Sequence, residues 1–192
     1  MRGVASPIPR RFGVREPTTE RLLDAAAAEL RASGPAALTV RLVAARAGIS
    51  PATAYKVFSS KEHLLASVLL RHLRDLPPID TGDSRPIEQR LPEFLHGYAA
   101  VIAADPQMQA TLRCVFLGDD PDTARVRELF SQHFDQQFEQ VCRDKLTENA
   151  RTTIRLAFAG AMVAAGAGLM PFTEIRQLLE TIVRTVNPVA RR

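Results

Sequence analysis

The stretch from Leu38 to Leu65 reads LTVRLVAARAGISPATAYKVFSSKEHLL. Thr39 is a favoured N-cap residue, and Val40, Val43, Ala44 and Ala47 follow it at helical spacing, which predicts a short helix with that face turned inward. Gly48 stops the helix, because glycine enters the left-handed conformation of a sharp turn without a steric penalty. Ile49 fills the angle between this helix and the next. Ser50 and Pro51 supply an N-cap followed by proline at the first helical position, so a second helix runs from Pro51 to about Phe58. Ser59 and Glu62 have the Ser-x-x-Glu spacing of a capping box and predict a third helix directly afterwards. Together these signals describe a helix-turn-helix.

The second helix presents Ala52, Thr53, Ala54, Tyr55 and Lys56 in its first turns. These mostly small or hydrogen-bonding side chains suit a DNA major groove, which is about 12 Å wide. Phe58 is expected to pack inward. Lys61 stands at a helix N-terminus, where exposed N–H groups and the helix dipole favour an anion such as phosphate.

Charge follows the same division. Of the formal net +4, residues 1–74 carry twelve Lys and Arg against five Asp and Glu, giving +7. Residues 75–192 carry thirteen against sixteen, giving −3. Positive charge is thus concentrated around the helix-turn-helix, as expected where one part of a chain meets phosphate.

These residues resemble the tetracycline-repressor (TetR) family of transcriptional regulators. The resemblance spans residues 18–70: the helix Thr18 to Ser33 with Gly34, Thr39-Val40, Ala47-Gly48-Ile49-Ser50, then Thr53, Tyr55, Phe58 and Ser60-Lys61-Glu62 before Leu64-Leu65. Ala52, Ala54 and Val57 depart from the family's usual glycine, leucine or isoleucine, and aromatic or histidine, and Val57 removes one expected phosphate contact. The resemblance implies that Tyr55, Lys61 and Thr39 contact phosphate, and that Thr53, Lys56 and Arg41 reach bases or adjacent phosphates. With the first turn of the recognition helix, the expected DNA-facing set is Thr39, Arg41, Ser50, Pro51, Ala52, Thr53, Tyr55, Lys56 and Lys61.

At 192 residues, 46% hydrophobic and 24% charged, the chain can form one large or two small compact domains. The expected class is all-α: a flexible basic arm over 1–17, a helix-turn-helix domain over 18–76, and a C-terminal effector-binding and dimerisation domain over 77–192. The arm carries Arg2, Arg10, Arg11 and Arg15 without helical period, so it either tracks DNA or is a solvated tail. Leu76-Pro77-Pro78 ends the helix that starts at Lys61. Further helices are expected over Ile87–Ala104, Pro106–Leu117, Asp122–Asp144, Thr147–Gly168 and from Pro171 onward, with a break at Gly118-Asp119-Asp120-Pro121.

The resemblance further implies a regulator that releases DNA when a small molecule binds the C-terminal helices. A pocket bordered by Phe94, Tyr98, Met108, Leu112, Phe116, Phe134 and Met162 would select a largely apolar effector; for each aromatic the competing reading is plain core. The last two helices are expected to build a homodimer interface through Ile154, Phe158, Met162, Ile175, Leu178, Leu179 and Ile182, the competing reading being that this seam packs inside the subunit. Two recognition helices related by a two-fold axis would then read a palindromic double-stranded operator.

Other classes find little support. No apolar run reaches the roughly 20 residues of a membrane span, and no signal-peptide core is present, so a cytoplasmic protein is expected. Cys114 and Cys142 are too few for a zinc site or disulfide framework, and no cofactor or metal is expected. The sequence holds no Gly-rich phosphate loop, Gly-x-Ser-x-Gly, His-Glu-x-x-His or Cys-x-x-Cys, which argues against an enzyme. The alternative is a helical module, or a regulator, controlled by a protein partner.

Overall fold

The computed structural model describes residues 17–76, 80, 82–117, 120–143 and 146–187. The basic arm Met1–Arg15, the Pro77-Pro78 break and the Gly118-Asp119 break lie outside them. Among the described residues there is no strand. The elements are α1 (Pro17–Ala37), α2 (Val40–Ala47), α3 (Pro51–Val57), α4 (Lys61–Arg74), α5 (Ile87–Ala103), α6 (Pro106–Leu117), α7 (Pro121–Cys142), α8 (Glu148–Gly166) and α9 (Ile175–Val186). The chain is an all-α protein with an N-terminal helix-turn-helix and a C-terminal helical part.

Local chemistry explains where the first helices begin and end. Pro17 already belongs to α1, and Gly34 at φ 76°, ψ 172° interrupts that helix in a region open to glycine alone. Thr39 Oγ1 accepts the Leu42 N–H at 3.1 Å and caps α2. At the other end Gly48 is left-handed (φ 63°), with Gly48 N–H on Ala45 O and Ile49 N–H on Ala44 O, a Schellman turn. Ser50 caps α3 by accepting the Thr53 N–H at 3.2 Å, with Pro51 at the first helical position.

The start of α4 differs from the capping box read in the sequence. Ser60, not Ser59, is the N-cap, its Oγ accepting the His63 N–H at 2.9 Å. Phe58 is extended and buried at the end of α3, so turning the chain consumes Ser59 as well. The Ser59 hydroxyl donates to the Asp122 carboxylate on α7, a charge-assisted bond that ties the α3–α4 turn to α7.

α4 ties the two parts together. It packs on α1, α6 and α7, while α5 packs on α9, α6 and α7 and α8 packs on α9 and α6. Its buried Leu64, Leu65, Val68, Leu69 and Leu73 join the α1–α3 apolar residues to one contiguous core that continues through Leu91, Leu95, Ile102, Phe138, Ile154, Ile175 and Leu179. α9 is preceded by a 3-10 turn over Phe172–Glu174, so the last α-helix begins at Ile175 rather than at Pro171. No helix of the described residues is long and apolar enough to cross a membrane.

Candidate nucleic-acid interface and effector cavity

α3 is rooted in the core by a narrow face. Ala54 is fully buried, Phe58 follows it inward, and Val57 is half-buried. Pro51, Ala52, Thr53, Tyr55 and Lys56 are all exposed, as are Thr39, Arg41 and Ser50. A helix held this way can enter a groove without breaking a core contact. Tyr55 keeps 48% of its surface accessible on the side of α3 where Thr53 and Lys56 are also open.

Several polar groups of this region are already committed. Ser50 Oγ lies 2.9 Å from Thr53 Oγ1 while capping the helix, so the two hydroxyls form one unit. Lys61, expected at phosphate, is half-buried and its Nζ donates to Ala36 O at the end of α1 at 2.9 Å. An ammonium has three donors, so that bond leaves others for an anion.

Braces that the sequence did not signal fix α2 and α4 against α1. Arg21 Nη2 donates to Ala47 O at 2.6 Å, holding the C-terminal carbonyl of α2. Arg46 Nε donates to Glu29 Oε2 at 2.9 Å, and Ser33 Oγ donates to Glu29 Oε1 at 2.7 Å. These partners hold the Glu29 carboxyl below the usual range, the Ser33 hydroxyl contributing most. Arg71 on α4 reaches Asp24 (2.7 Å), Glu20 (3.5 Å) and Leu23 O (3.0 Å) on α1. Glu29 is buried among the apolar residues of α1, and a carboxylate in that register is the one feature of the sequence from which such a brace could be inferred.

A cavity of about 580 Å³ opens between the end of α4, α5, α7 and the segment before α5. Its apolar wall is Leu73, Leu76, Phe94, Tyr98 and Val141, and Gly97 leaves room on α5. The polar wall holds Arg74, Arg85, Arg90, Asp80, Asp83, Glu93, His133 and Gln137. Arg85 donates to Asp83 and to Glu93, at 2.7 and 2.8 Å. Its side-chain bond, aided by the Arg85 N–H, draws the Asp83 carboxyl down to about 2. Burial and then the Arg74 charge lower the His133 pKa, favouring neutral imidazole, and burial alone pushes the Tyr98 phenol up to about 12.

The pocket residues read from the sequence are therefore only partly placed there. Phe94 and Tyr98 line the cavity, whereas Met108, Leu112, Phe116, Phe134 and Met162 do not. Phe134 is the hub of a packed aromatic cluster, stacked on Phe158 at 5.3 Å and in contact with Phe94, Tyr98, Phe130 and Phe138. Phe116 packs edge-on to Phe130, and Met108, Leu112 and Met162 are buried in the core. Aromatic packing fills the volume expected to be open, and the cavity lies on its polar flank.

α7 runs from this cavity to the recognition region. His133, Gln137 and Val141 line the cavity, and at the other end of the same helix Asp122 accepts from Ser59. The N-cap Asp120 beside it is held below the usual carboxylate range, chiefly by the Thr123 N–H and in part by Ser60. One rigid element thus touches both the cavity and the α3–α4 turn.

Comparison with known proteins agrees with this geometry. Residues 22–68 match the model of the bacterial regulatory proteins of the tetR family. An uncharacterized HTH-type transcriptional regulator of Mycobacterium bovis is 36% identical over 171 residues, 88% of this chain and 80% of the relative. The chain belongs to the TetR family of transcriptional regulators. A TetR transcriptional regulator from Rhodococcus sp. RHA1 shares the fold, with a TM-score of 0.67, 17% identity, and coverage of 88% of this chain and 94% of that one. SmeT, solved as a complex with triclosan, also shares it, with a TM-score of 0.58, 19% identity, and coverage of 88% and 91%. Membership makes this protein a regulator and not an enzyme.

In this TetR-family chain the dimer residues read from the sequence fall largely inside the protomer. Ile154, Ile175 and Leu179 are fully buried, and Phe158 and Met162 are buried too, so they have no surface to offer a second copy. They pack α8 and α9 onto their own subunit. Of that set, Leu178 is exposed and Ile182 half-buried. The outward face of α8 instead carries Leu156 (69% exposed), Ala159, Gly160 and Val163 (40% exposed). Of the two cysteines, Cys114 is exposed, while Cys142 is buried and its thiol is pushed up to about 12 by that burial.

Proposed function

We propose that this TetR-family regulator acts as a homodimeric repressor that binds a palindromic operator through α3 and is released by a small molecule in the α4–α5–α7 cavity. The observation that carries the reading is α3 itself, anchored through Ala54 with Thr53, Tyr55 and Lys56 left open. Thr53 and Lys56 approach base edges, and Tyr55, Arg41, Thr39 and the remaining donors of Lys61 take phosphate. The first-turn residues Ser50, Pro51 and Ala52 lie nearest the groove. Half-sites are then about 34–36 Å apart or a multiple of that spacing.

Dimerisation proceeds through the outward face of α8 and α9, with Leu156, Val163 and Leu178 as its apolar centre and Ala159 and Gly160 allowing close approach. Exposed apolar groups at this helical spacing are what a helix-bundle interface requires. SmeT, similar in fold, is known as a complex with triclosan, which supports a small molecule as the effector here. Binding shifts α7, and the Ser59–Asp122 bond carries the shift to the α3–α4 turn.

The test is fluorescence anisotropy with labelled DNA from immediately upstream of the gene, at two salt concentrations and with unlabelled non-specific competitor. Saturable, competitor-resistant binding that weakens with salt is expected. The variant Thr53→Ala, Tyr55→Ala, Lys56→Ala should lose it while melting at the same temperature. Undiminished binding by that variant would reject α3 as the reading element.

A further inference from the structure

Arg90 is the side chain in the cavity wall that the protein does not satisfy. It stands in the first turn of α5, 8% exposed, and its buried Nε has no hydrogen-bond partner. A buried guanidinium donor left unmade is costly, and natural interiors rarely keep one. None of the acids in the wall, Asp80, Asp83 or Glu93, bonds Arg90. Asp83 and Glu93 are held by Arg85, and Asp80 Oδ1 accepts the Gly82 N–H at 2.7 Å. Asp83 feels the Arg90 charge without bonding it. Arg74 is a further cation in the wall besides Arg90 and the acid-paired Arg85, and His133 beside it is held towards the neutral form by burial. The N-terminal end of α5 itself favours negative charge.

We propose that the effector is an amphipathic monocarboxylate, with its carboxylate on the Arg90 guanidinium and its apolar body against Leu73, Phe94, Tyr98 and Val141. The fork of an arginine matches the two oxygens of a carboxylate, which is why that pairing recurs in buried anion sites. A cavity of about 580 Å³ has the size of a small-ligand site. The apolar effector expected from the sequence is thereby revised: the cavity combines an aromatic wall with a charged one. This inference rests on the cavity being the effector site.

The experiment is isothermal titration calorimetry on the full-length protein. The probes are decanoate and 4-phenylbutyrate, each against its primary amide, with decylamine as the cationic control. At least one carboxylate is expected to bind about tenfold or more tightly than its amide, as a charge-assisted pair should, with decylamine the weakest. Arg90→Met should level carboxylate and amide. Should that variant melt early, the wild-type ratio alone decides. Gly97→Leu serves as the blocking variant, since Gly97 lines the cavity and a Cβ there meets no atom within 4 Å. It should abolish binding of every probe. Carboxylate and amide binding equally, both blocked by Gly97→Leu, overturns the anion assignment and leaves the cavity as the effector site. Binding of no probe, or binding that Gly97→Leu does not change, overturns both.

Discussion

Glu29 illustrates how much a single side chain organises here. Its carboxylate, 8% exposed on α1, takes Ser33 from its own helix and Arg46 from α2, so it fixes the angle at which the helix-turn-helix leaves α1. Because its pKa is lowered in the folded state, the stabilisation is fully present above the unfolded carboxyl value and disappears as pH falls through the folded one. Glu29→Gln should therefore melt earlier than wild type at neutral pH, with the gap closing on acidification through the carboxylate range near about 4. Thermal melts of both proteins across that range check it; a gap that widens in acid contradicts the assignment. Residues with local roles were legible in the sequence: Thr39, Gly48, Ser50 and Pro51 do what capping and turn chemistry dictates, because each acts on backbone within a few positions. Glu29 and Lys61 were not, since their partners Arg46 and Ala36 lie 17 and 25 residues away, a distance that only the fold closes.

Helices were legible for the same reason, and their ends less so. α6 spans Pro106–Leu117 as read from the sequence, and α5 ends one residue short of the expected Ala104, because apolar period and proline placement are carried by the element itself. α4 starts at Lys61 as the sequence predicts, but its N-cap lies one residue later than the capping box places it, because the choice between Ser59 and Ser60 depends on how Phe58 enters the core and on Asp122 from α7. The two serines consequently separate by mutation. Ser60→Ala removes the N-cap bond to His63 and should cost about 1 kcal/mol of stability. Ser59→Ala leaves the cap and removes the bond to Asp122, so it should melt close to wild type yet respond less to effector in a DNA-release assay. Chemical denaturation and that assay, run on both variants, distinguish the roles; equal destabilisation by the two would restore the capping box. Gly48→Ala belongs with them. At φ 63°, ψ 37° an alanine costs about 1–2 kcal/mol and tilts α3, lowering operator affinity beyond the loss of stability. Urea denaturation together with anisotropy at a temperature where the variant is folded measures both effects.

Assembly is the scale at which periodicity misled most. Spacing lets the apolar seam of α8 and α9 face either a second subunit or its own, and Ile154, Phe158, Ile175 and Leu179 pack within the protomer. A helix clamped between its own core and a partner is apolar on two faces, and spacing alone does not say which face goes where. What separates them is accessibility: Leu156 and Val163 recur on the outer side of α8 with Leu178 exposed on α9. Replacing Leu156 and Val163 together by aspartate places charge in the centre of that face without touching the core. The variant should keep its helical circular dichroism and melt as a folded chain, while ultracentrifugation finds monomers. Its operator affinity should fall by about a hundredfold or more, because each recognition helix loses the effective concentration supplied by its twin. Ile154→Asp is the contrasting change, burying an unpaired charge in the protomer, and should unfold it outright. A Leu156→Asp, Val163→Asp protein that remains dimeric and binds operator normally would move the interface off the outer face of α8.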